Sequence, residues 1–470
     1  MLIEPCNLNP MDAFCRLYSE PHPFLLDSCD CGRYSFAGAN PFISIKAQNN
    51  KVEIIQGSTR RIVTDDIFSA LASLLNDFRI PRQLRRRPAF RIPFSGGAVG
   101  YLGYELKNQL EQLPRKHDDK LNIPDAILGL YDTIFAYDHK INKGYVLASG
   151  LPEKDNRMKK LLAKQKMKQF FNMINQPSSF SRRDALQCLS TSGFSMSSIK
   201  SNFTKNGYMN AIKRVQRYIA SGDIYQANIS QRLTVDFHSD PLALYSKLRK
   251  INPVRFGAFL NYGDFQIISN SPERLLKVSN GIVETSPIKG TRPRGKNPQE
   301  DTAFANELKL SGKELSEHIM IVDLERNDLG KICDYGSIKV RPLQKVFTYA
   351  TLHHMVSTVK GKIRDNTGRA DCIKALFPGG SVTGAPKIRA MEIIEEIEPT
   401  PRGIYTGAIG YIDFCGNMDL SMAIRTAVLK DKSLYLNVGG GIVADSNPED
   451  EYEETMLKAN AFLLAMKETL

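Results

Sequence analysis

YMNAIKRVQRYIASGDIYQANISQRLTVDF, residues 208–237, decides the fold class. Tyr208, Ile212, Val215 and Ile219 recur at helical spacing. Gly222 stands where a helix end favours a residue that accepts a left-handed backbone. The stretch DIYQANISQRLTVDF that follows reads as a strand. Strand and helix patterns then alternate irregularly to the C-terminus. A steady strand–helix–strand rhythm would predict a parallel sheet, and a fixed period would predict a solenoid; neither is present. The expectation is an α+β fold with mostly antiparallel sheets.

Working outward, residues 1–150 read as strand-rich. RYSFAGANPFISIKAQ and KVEIIQG alternate or run β-branched, and FSGGAVGYLGYEL carries glycines that permit bulges or close backbone approach. Residues 151–203 hold a basic helix, RMKKLLAKQKMKQ (157–169), and a Ser-rich connector. Residues 204–470 form the long, well-patterned remainder.

Of the 470 residues, 42% are hydrophobic and 24% charged, which is ordinary globular composition. No apolar run approaches the ~18 residues of a membrane span. The start, MLIEPCNLNPMDAFCRLYSE, has early acids and does not read as a secretory signal. The eight cysteines are scattered without zinc spacing, which suits reduced thiols in a cytoplasm. Net charge is +13, concentrated in RQLRRRPAFR (82–91) and in the 157–169 helix. Neither stretch interleaves aromatics, so solvated surface is expected rather than a nucleic-acid site.

Several stretches could carry chemistry. Glu314 and Glu317 in SGKELSEH lie one helical turn apart, as do Glu451 and Glu454 in EDEYEETMLK, with Lys458 a turn later. Two such faces meeting would offer hard oxygen ligands for Mg²⁺; Ser311–Glu314 is equally a capping box, and Pro448-Glu449-Asp450 an ordinary acidic helix start. FPGGSVTGAPKIRAMEII lacks the Walker spacing and reads as an anion-binding or a structural turn before a helix. In LNVGGGIVADS an apolar strand ends in three glycines, a carboxylate cradle or a bulge. Glu273 lies between two β-like segments, where burial would make it a general acid. His354 and Arg425 sit in apolar, strand-like runs and need partners or a ligand. Lys289 in ETSPIKGTRPRG is a loop charge, a phosphate clamp or a nucleophile.

Taken in order, SGDIYQANISQ, SNSPERLL, SPIKGTRPRG, KELSEHIMIVDLERNDLG, FPGGSVTGAPKIRAMEIIEEIEP, GIYTGAIGYIDFCGNMDLSMAIRT and GGGIVADSNPEDEYEETMLKA resemble the chorismate-utilising enzymes. RYSFAGANPF and GGAVGYLGYEL are similar to the N-terminal, regulatory-like part of the members that aminate chorismate. The resemblance implies a large antiparallel β-sandwich with helices packed outside and the active site between the sheets. It implies Mg²⁺ held by Glu317 and Glu454, with Glu314 and Glu451 supporting, against the ring carboxylate of chorismate. Tyr405 and Arg425 would grip the enolpyruvyl carboxylate; Gly439, Gly440, Gly441 and Lys458 would complete the ring-carboxylate pocket; Thr291 and Thr383 would also contact substrate. Where isochorismate and salicylate synthases carry a lysine base this chain has Gln226, and where anthranilate synthases read Pro-Ile-Ala-Gly-Thr it has Lys289. By resemblance that lysine marks amination at C4: it adds at C2 as a covalent adduct, Glu273 serves as acid and base, and His354 orients the ring. The implied product is 4-amino-4-deoxychorismate for 4-aminobenzoate and folate synthesis; anthranilate is the alternative. No Cys-His-Glu module is recognised, so ammonia is expected from a separate glutamine amidotransferase subunit. Ser28, Arg33, Tyr34, Pro253 and Phe256 match a tryptophan pocket in position, while Arg255 beside Phe256 favours a structural core.

Overall fold

The computed structural model describes residues 1–49, 51–80, 92–176, 199–348 and 352–467. The 82–91 basic stretch and nearly all of the Ser-rich connector lie outside the described residues.

The opening stretch folds as its pattern requires. The Lys205–Ala220 helix begins at Thr204, whose hydroxyl accepts from the Gly207 N–H at 3.0 Å. Gly222, at φ 82°, turns the chain into the strand Gln226–Asp236. That strand pairs antiparallel with Ser433–Ile442 along nearly its whole length, from Ala227↔Ile442 to Asp236↔Ser433.

Both strands belong to a twelve-stranded sheet that packs against an eleven-stranded one. Every pairing is antiparallel. The interface between the sheets is apolar: Phe36, Ile134, Leu260 and Ile267 of the first meet Val99, Tyr101, Ile127 and Ile409 of the second. The outer face of the first sheet buries Ile268, Leu436 and Val438 against helices Pro10–Leu17, Asn156–Asn175, Pro241–Ile251 and Pro448–Lys467. The second sheet buries Leu276, Val283 and Leu420 against Ile67–Asp77, Gly312–Gly330 and Arg369–Leu376. The protein is therefore the expected α+β sandwich with helices outside.

Residues 1–150 and 204–470 share both sheets. Phe24–Asp27 pairs with Phe256–Asn261 in the first, and Gly97–Leu102 with Ala408–Asp413 in the second. Gly97 permits the second contact, because a Cβ there would run into Ile412 O; at Gly100 a Cβ would run into Ile127 O on the other neighbouring strand, Ala126–Tyr131.

Two crossings between the sheets position the site. Phe265–Ser271 of the first sheet continues through Pro272 and Glu273 into Arg274–Ser279 of the second. Met418–Met422 of the second continues through Arg425 into Thr426–Lys430 of the first. The crossings lie side by side: Met422 N–H donates to Glu273 O at 3.1 Å and Asn270 N–H to Arg425 O at 2.9 Å. SMAIRTAV is thus not one strand-like run. Its apolar residues continue on both sides of a break where Arg425 adopts φ 48°.

A third, three-stranded sheet of Ile288–Pro293, Lys345–Thr348 and Leu352–Val356 lies against helices Pro298–Leu310 and Gly312–Gly330. It carries Lys289, which is a half-buried strand residue rather than a loop charge.

Candidate active site

Glu273 is buried at the first crossing, and Ser381 Oγ donates to its Oε1 at 2.7 Å. Burial pushes its pKa up to about 7; Ser381, Lys289, the Ile288 N–H and Arg425 oppose the rise. The carboxyl can therefore exchange a proton near neutrality. Arg425, at the second crossing, has its pKa lowered by burial, partly offset by Glu273. No described carboxylate forms an ion pair with it, so its charge is available to an anion.

The lysine strand slips register between Lys289 and Thr291, opposite Met355 and His354. Gly290 makes the slip possible at φ 68°, and a Cβ there would meet Leu308 Cδ1 at 2.6 Å and Glu314 Oε2 at 3.0 Å. Thr291 Oγ1 lies 3.0 Å from His354 Nδ1. Burial, then Arg425, lowers the His354 pKa to about 4, so the imidazole is neutral at physiological pH.

Lys289 and Gln226 converge on Gly441. A Cβ on that glycine would lie 2.5 Å from Gln226 Nε2 and 3.0 Å from Lys289 Nζ. The three glycines neither end the strand nor form a bulge: Ser433–Ile442 runs through them in unbroken register with Gln226–Asp236. Pairing with Thr426–Lys430 stops at Leu436, which leaves the other edge of the glycine segment open. Gly439 and Gly441 face the interior with Ser230 and Asn228, whereas Gly440 faces the C-terminal helix.

On that helix, Pro448–Lys467, Glu451 Oε2 would lie 3.2 Å and Glu454 Oε1 4.0 Å from a Cβ on Gly440. Lys458 Nζ bonds Glu454 Oε1 at 2.6 Å and Gly439 O at 2.9 Å. Glu314 and Glu317 share the Gly312–Gly330 helix. Ser311 caps it, accepting from the Glu314 N–H at 3.4 Å, while the Glu314 carboxylate turns to Arg292 and Gly290. Burial raises the Glu317 pKa, and Glu314 and Glu454 add to the rise; burial also raises Glu451, whereas Lys458 chiefly lowers Glu454. The two acidic faces therefore act on each other and on Lys289.

This donor set fits a small hard dication in its chemistry: carboxylates from two helices, mutually repelling and partly desolvated. Among the described residues, no three His, Cys, Asp or Glu side chains already stand together as a metal-holding group. Lys458 and Lys313 supply nearby positive charge.

Behind the site, buried Arg402 pairs with Glu398 at 2.7 Å and donates to Val382 O and Asn228 O at 2.8 and 2.7 Å. It also lies 5.7 Å from the Tyr405 ring centroid. The network ties Tyr405, the Gly380–Val382 turn and the Gln226–Asp236 strand together. Thr383 Oγ1 donates to Gly379 O at 2.9 Å within that turn, and Lys387 at the next helix start pairs with Asp328.

Ser28, Arg33, Tyr34 and Phe256 lie on or beside neighbouring strands of the first sheet, and Pro253 precedes one of them. Ser28 N–H donates to Ser35 Oγ at 3.0 Å, and exposed Arg33 pairs with Asp138 at 2.8 Å. Arg255 and Arg274 lie 5.8 and 5.1 Å from the Phe256 ring centroid.

Sequence reasoning missed Ser381, which orients Glu273, and Asn228, beside Gln226. A serine in a glycine-rich turn and an asparagine in a strand have no periodic signature; only the fold reveals their neighbours.

Glu273 and Arg425 at the sheet crossings, Lys289 on the third sheet and the acidic faces of two helices thus make up the candidate active site. The family model described as chorismate binding enzyme matches residues 21–464, and the chain belongs to that family. It is 36% identical to anthranilate synthase component 1 of Acetivibrio thermocellus, over 98% of this chain and 93% of that protein. It is also 36% identical to aminodeoxychorismate synthase component 1 of Bacillus subtilis (strain 168), over 96% and 92%. The crystal structure of anthranilate synthase component I from Streptococcus pneumoniae TIGR4 superposes with a TM-score of 0.79 at 32% identity, covering 92% of each chain. No helix among the described residues is long and apolar enough to cross a membrane.

Proposed function

We propose that this enzyme converts chorismate and ammonia to 4-amino-4-deoxychorismate through a covalent adduct on Lys289. The observation that carries the reading is the placement of the Lys289 amine against Gly441 and Gln226, within electrostatic reach of the buried, proton-exchanging Glu273.

Lys289 attacks C2 as a neutral amine, the ring double bonds shift, and the C4–O bond breaks. Glu273 gives its proton to the departing hydroxyl, which leaves as water. Ammonia then adds at C4, the double bonds return, and the C2–N bond breaks with its electron pair going back to Lys289. Glu273 recovers a proton from the new C4 ammonium, so atoms and charge balance over the cycle. Arg425 and Tyr405 bind the enolpyruvyl carboxylate, and neutral His354, anchored by Thr291, orients the ring. Glu317 and Glu454, supported by Glu314 and Glu451, would hold Mg²⁺, which supplies charge for the ring carboxylate and draws electron density from the ring. A glutamine amidotransferase subunit would supply ammonia in the cell.

The second reading is anthranilate synthesis, with ammonia attacking C2 directly; relatives with that name match at the same identity. Intact-mass analysis after incubation with chorismate and Mg²⁺ separates the mechanisms. A chorismate-derived mass on the wild type, absent from Lys289→Ala, is expected; an adduct that persists in Lys289→Ala overturns the nucleophile.

A further inference from the structure

Packing anchors the strand that carries Lys289 only weakly. Ile288–Pro293 stands at the edge of its three-stranded sheet, paired on one side with Leu352–Val356, and none of its 6 residues is buried. Gly290 adds a left-handed residue and a register slip directly after Lys289. A strand held so lightly does not by itself fix an amine as closely as nucleophilic attack requires.

Arg292 supplies the missing anchor. Its Nε donates to Glu307 Oε1 at 2.8 Å on the Pro298–Leu310 helix, and its Nη1 to Glu314 Oε1 at 3.4 Å on the Gly312–Gly330 helix. Nη1 also donates to Thr291 O at 2.9 Å. One planar guanidinium thus joins two helices to its own strand, in a fixed geometry that the mobile ammonium of a lysine does not impose. The pull on Glu314 reaches Lys289 through its neighbour: Glu314 Oε2 would lie 3.0 Å from a Cβ on Gly290, so the carboxylate is wedged against the register slip. Two residues further on, Arg294 grips Asp301 of the first helix with two hydrogen bonds, at 2.7 and 2.9 Å. We propose that Arg292 is a positioning residue for the reaction, bolting the edge strand to both helices so that the Lys289 amine stays opposite Gly441 and Gln226. It acts through Glu307, Glu314 and the strand, not on the reacting atoms.

The inference rests on the reading that Lys289 is the nucleophile. The wild-type adduct tests that reading, and the comparison of variants with wild type tests Arg292; if no adduct forms, the same comparison is made on turnover. Arg292→Gln should slow adduct formation from chorismate and Mg²⁺, followed by intact mass in quenched samples, roughly tenfold or more. It should lower kcat to match, with KM for chorismate within about twofold. Arg292→Lys, which keeps the charge without the fork, should fall between wild type and Gln. Glu307→Gln breaks the exposed arm of the clamp and decides the matter if the Arg292 variants do not fold. It should lower kcat about threefold or more while the melting temperature moves by less than about 3 °C, because an exposed pair adds little to stability. Unchanged rates, or losses of activity that track the melting temperature across the variants, overturn the assignment.

Discussion

Replacing Glu273 with Gln should make the enzyme inactive and more stable at once. The buried carboxyl has its pKa raised from 4.5 to about 7. That interval, at about 1.4 kcal/mol per pH unit, means that the ionised side chain costs the native state about 3 kcal/mol. Below pH 4.5 the group is protonated in both folded and unfolded chains, and the penalty is absent. It grows between pH 4.5 and 7, where the unfolded chain ionises first, and is complete above 7. Glutamine keeps an acceptor for Ser381 and carries no charge. Urea unfolding of both proteins at pH 5 and pH 8 should therefore show a small difference at the lower pH and a gain approaching 3 kcal/mol, at about 1.4 kcal/mol per unit, at the higher. Turnover of the wild type should also fall as pH rises past 7, while Glu273→Gln should show no comparable activity at any pH. A pH-independent stability difference, or a variant less stable at pH 8 than at pH 5 relative to wild type, refutes the reasoning.

Gly441→Ala places a Cβ 2.5 Å from Gln226 Nε2 and 3.0 Å from Lys289 Nζ, both ends of flexible side chains. Stability should change by under about 1 kcal/mol while turnover falls roughly 100-fold, since a displacement of about 1 Å misplaces the nucleophile; equal losses in chemical denaturation and activity assays contradict this. Glu398→Ala strands buried Arg402 and should cost about 3–5 kcal/mol in urea unfolding; a loss below about 1 kcal/mol shows the pair does not brace the site. Removal of Mg²⁺ with EDTA should lower activity at least about tenfold, with recovery on adding Mg²⁺. Glu317→Gln should diminish the Mg²⁺-induced rise in melting temperature of the free enzyme.

The helix-then-strand order of residues 208–237 and the strand-rich start were legible because period and capping are local properties. The partnership of Phe24–Asp27 with Phe256–Asn261 was not, because nothing local encodes a pairing across more than two hundred residues. The same limit hid Arg425: apolar residues continue on both sides of its left-handed turn, so a change of sheet looks like one strand. Three consecutive glycines suggested an end or a bulge because glycine weakens strands; here their missing side chains make room for Lys289 and the acidic helix. Lys289, Glu273 and the paired glutamates stood out as charges in patterned surroundings. Ser381 and Asn228 did not, since a neutral polar residue gains meaning only from the neighbours the fold supplies.

Product identification tests the central claim most directly. The enzyme should be incubated with chorismate, Mg²⁺ and ammonium, and the products separated before and after adding a lyase that acts on 4-amino-4-deoxychorismate. No anthranilate is expected in either sample, and 4-aminobenzoate only after the lyase. Fluorescent anthranilate formed without the lyase would contradict amination at C4.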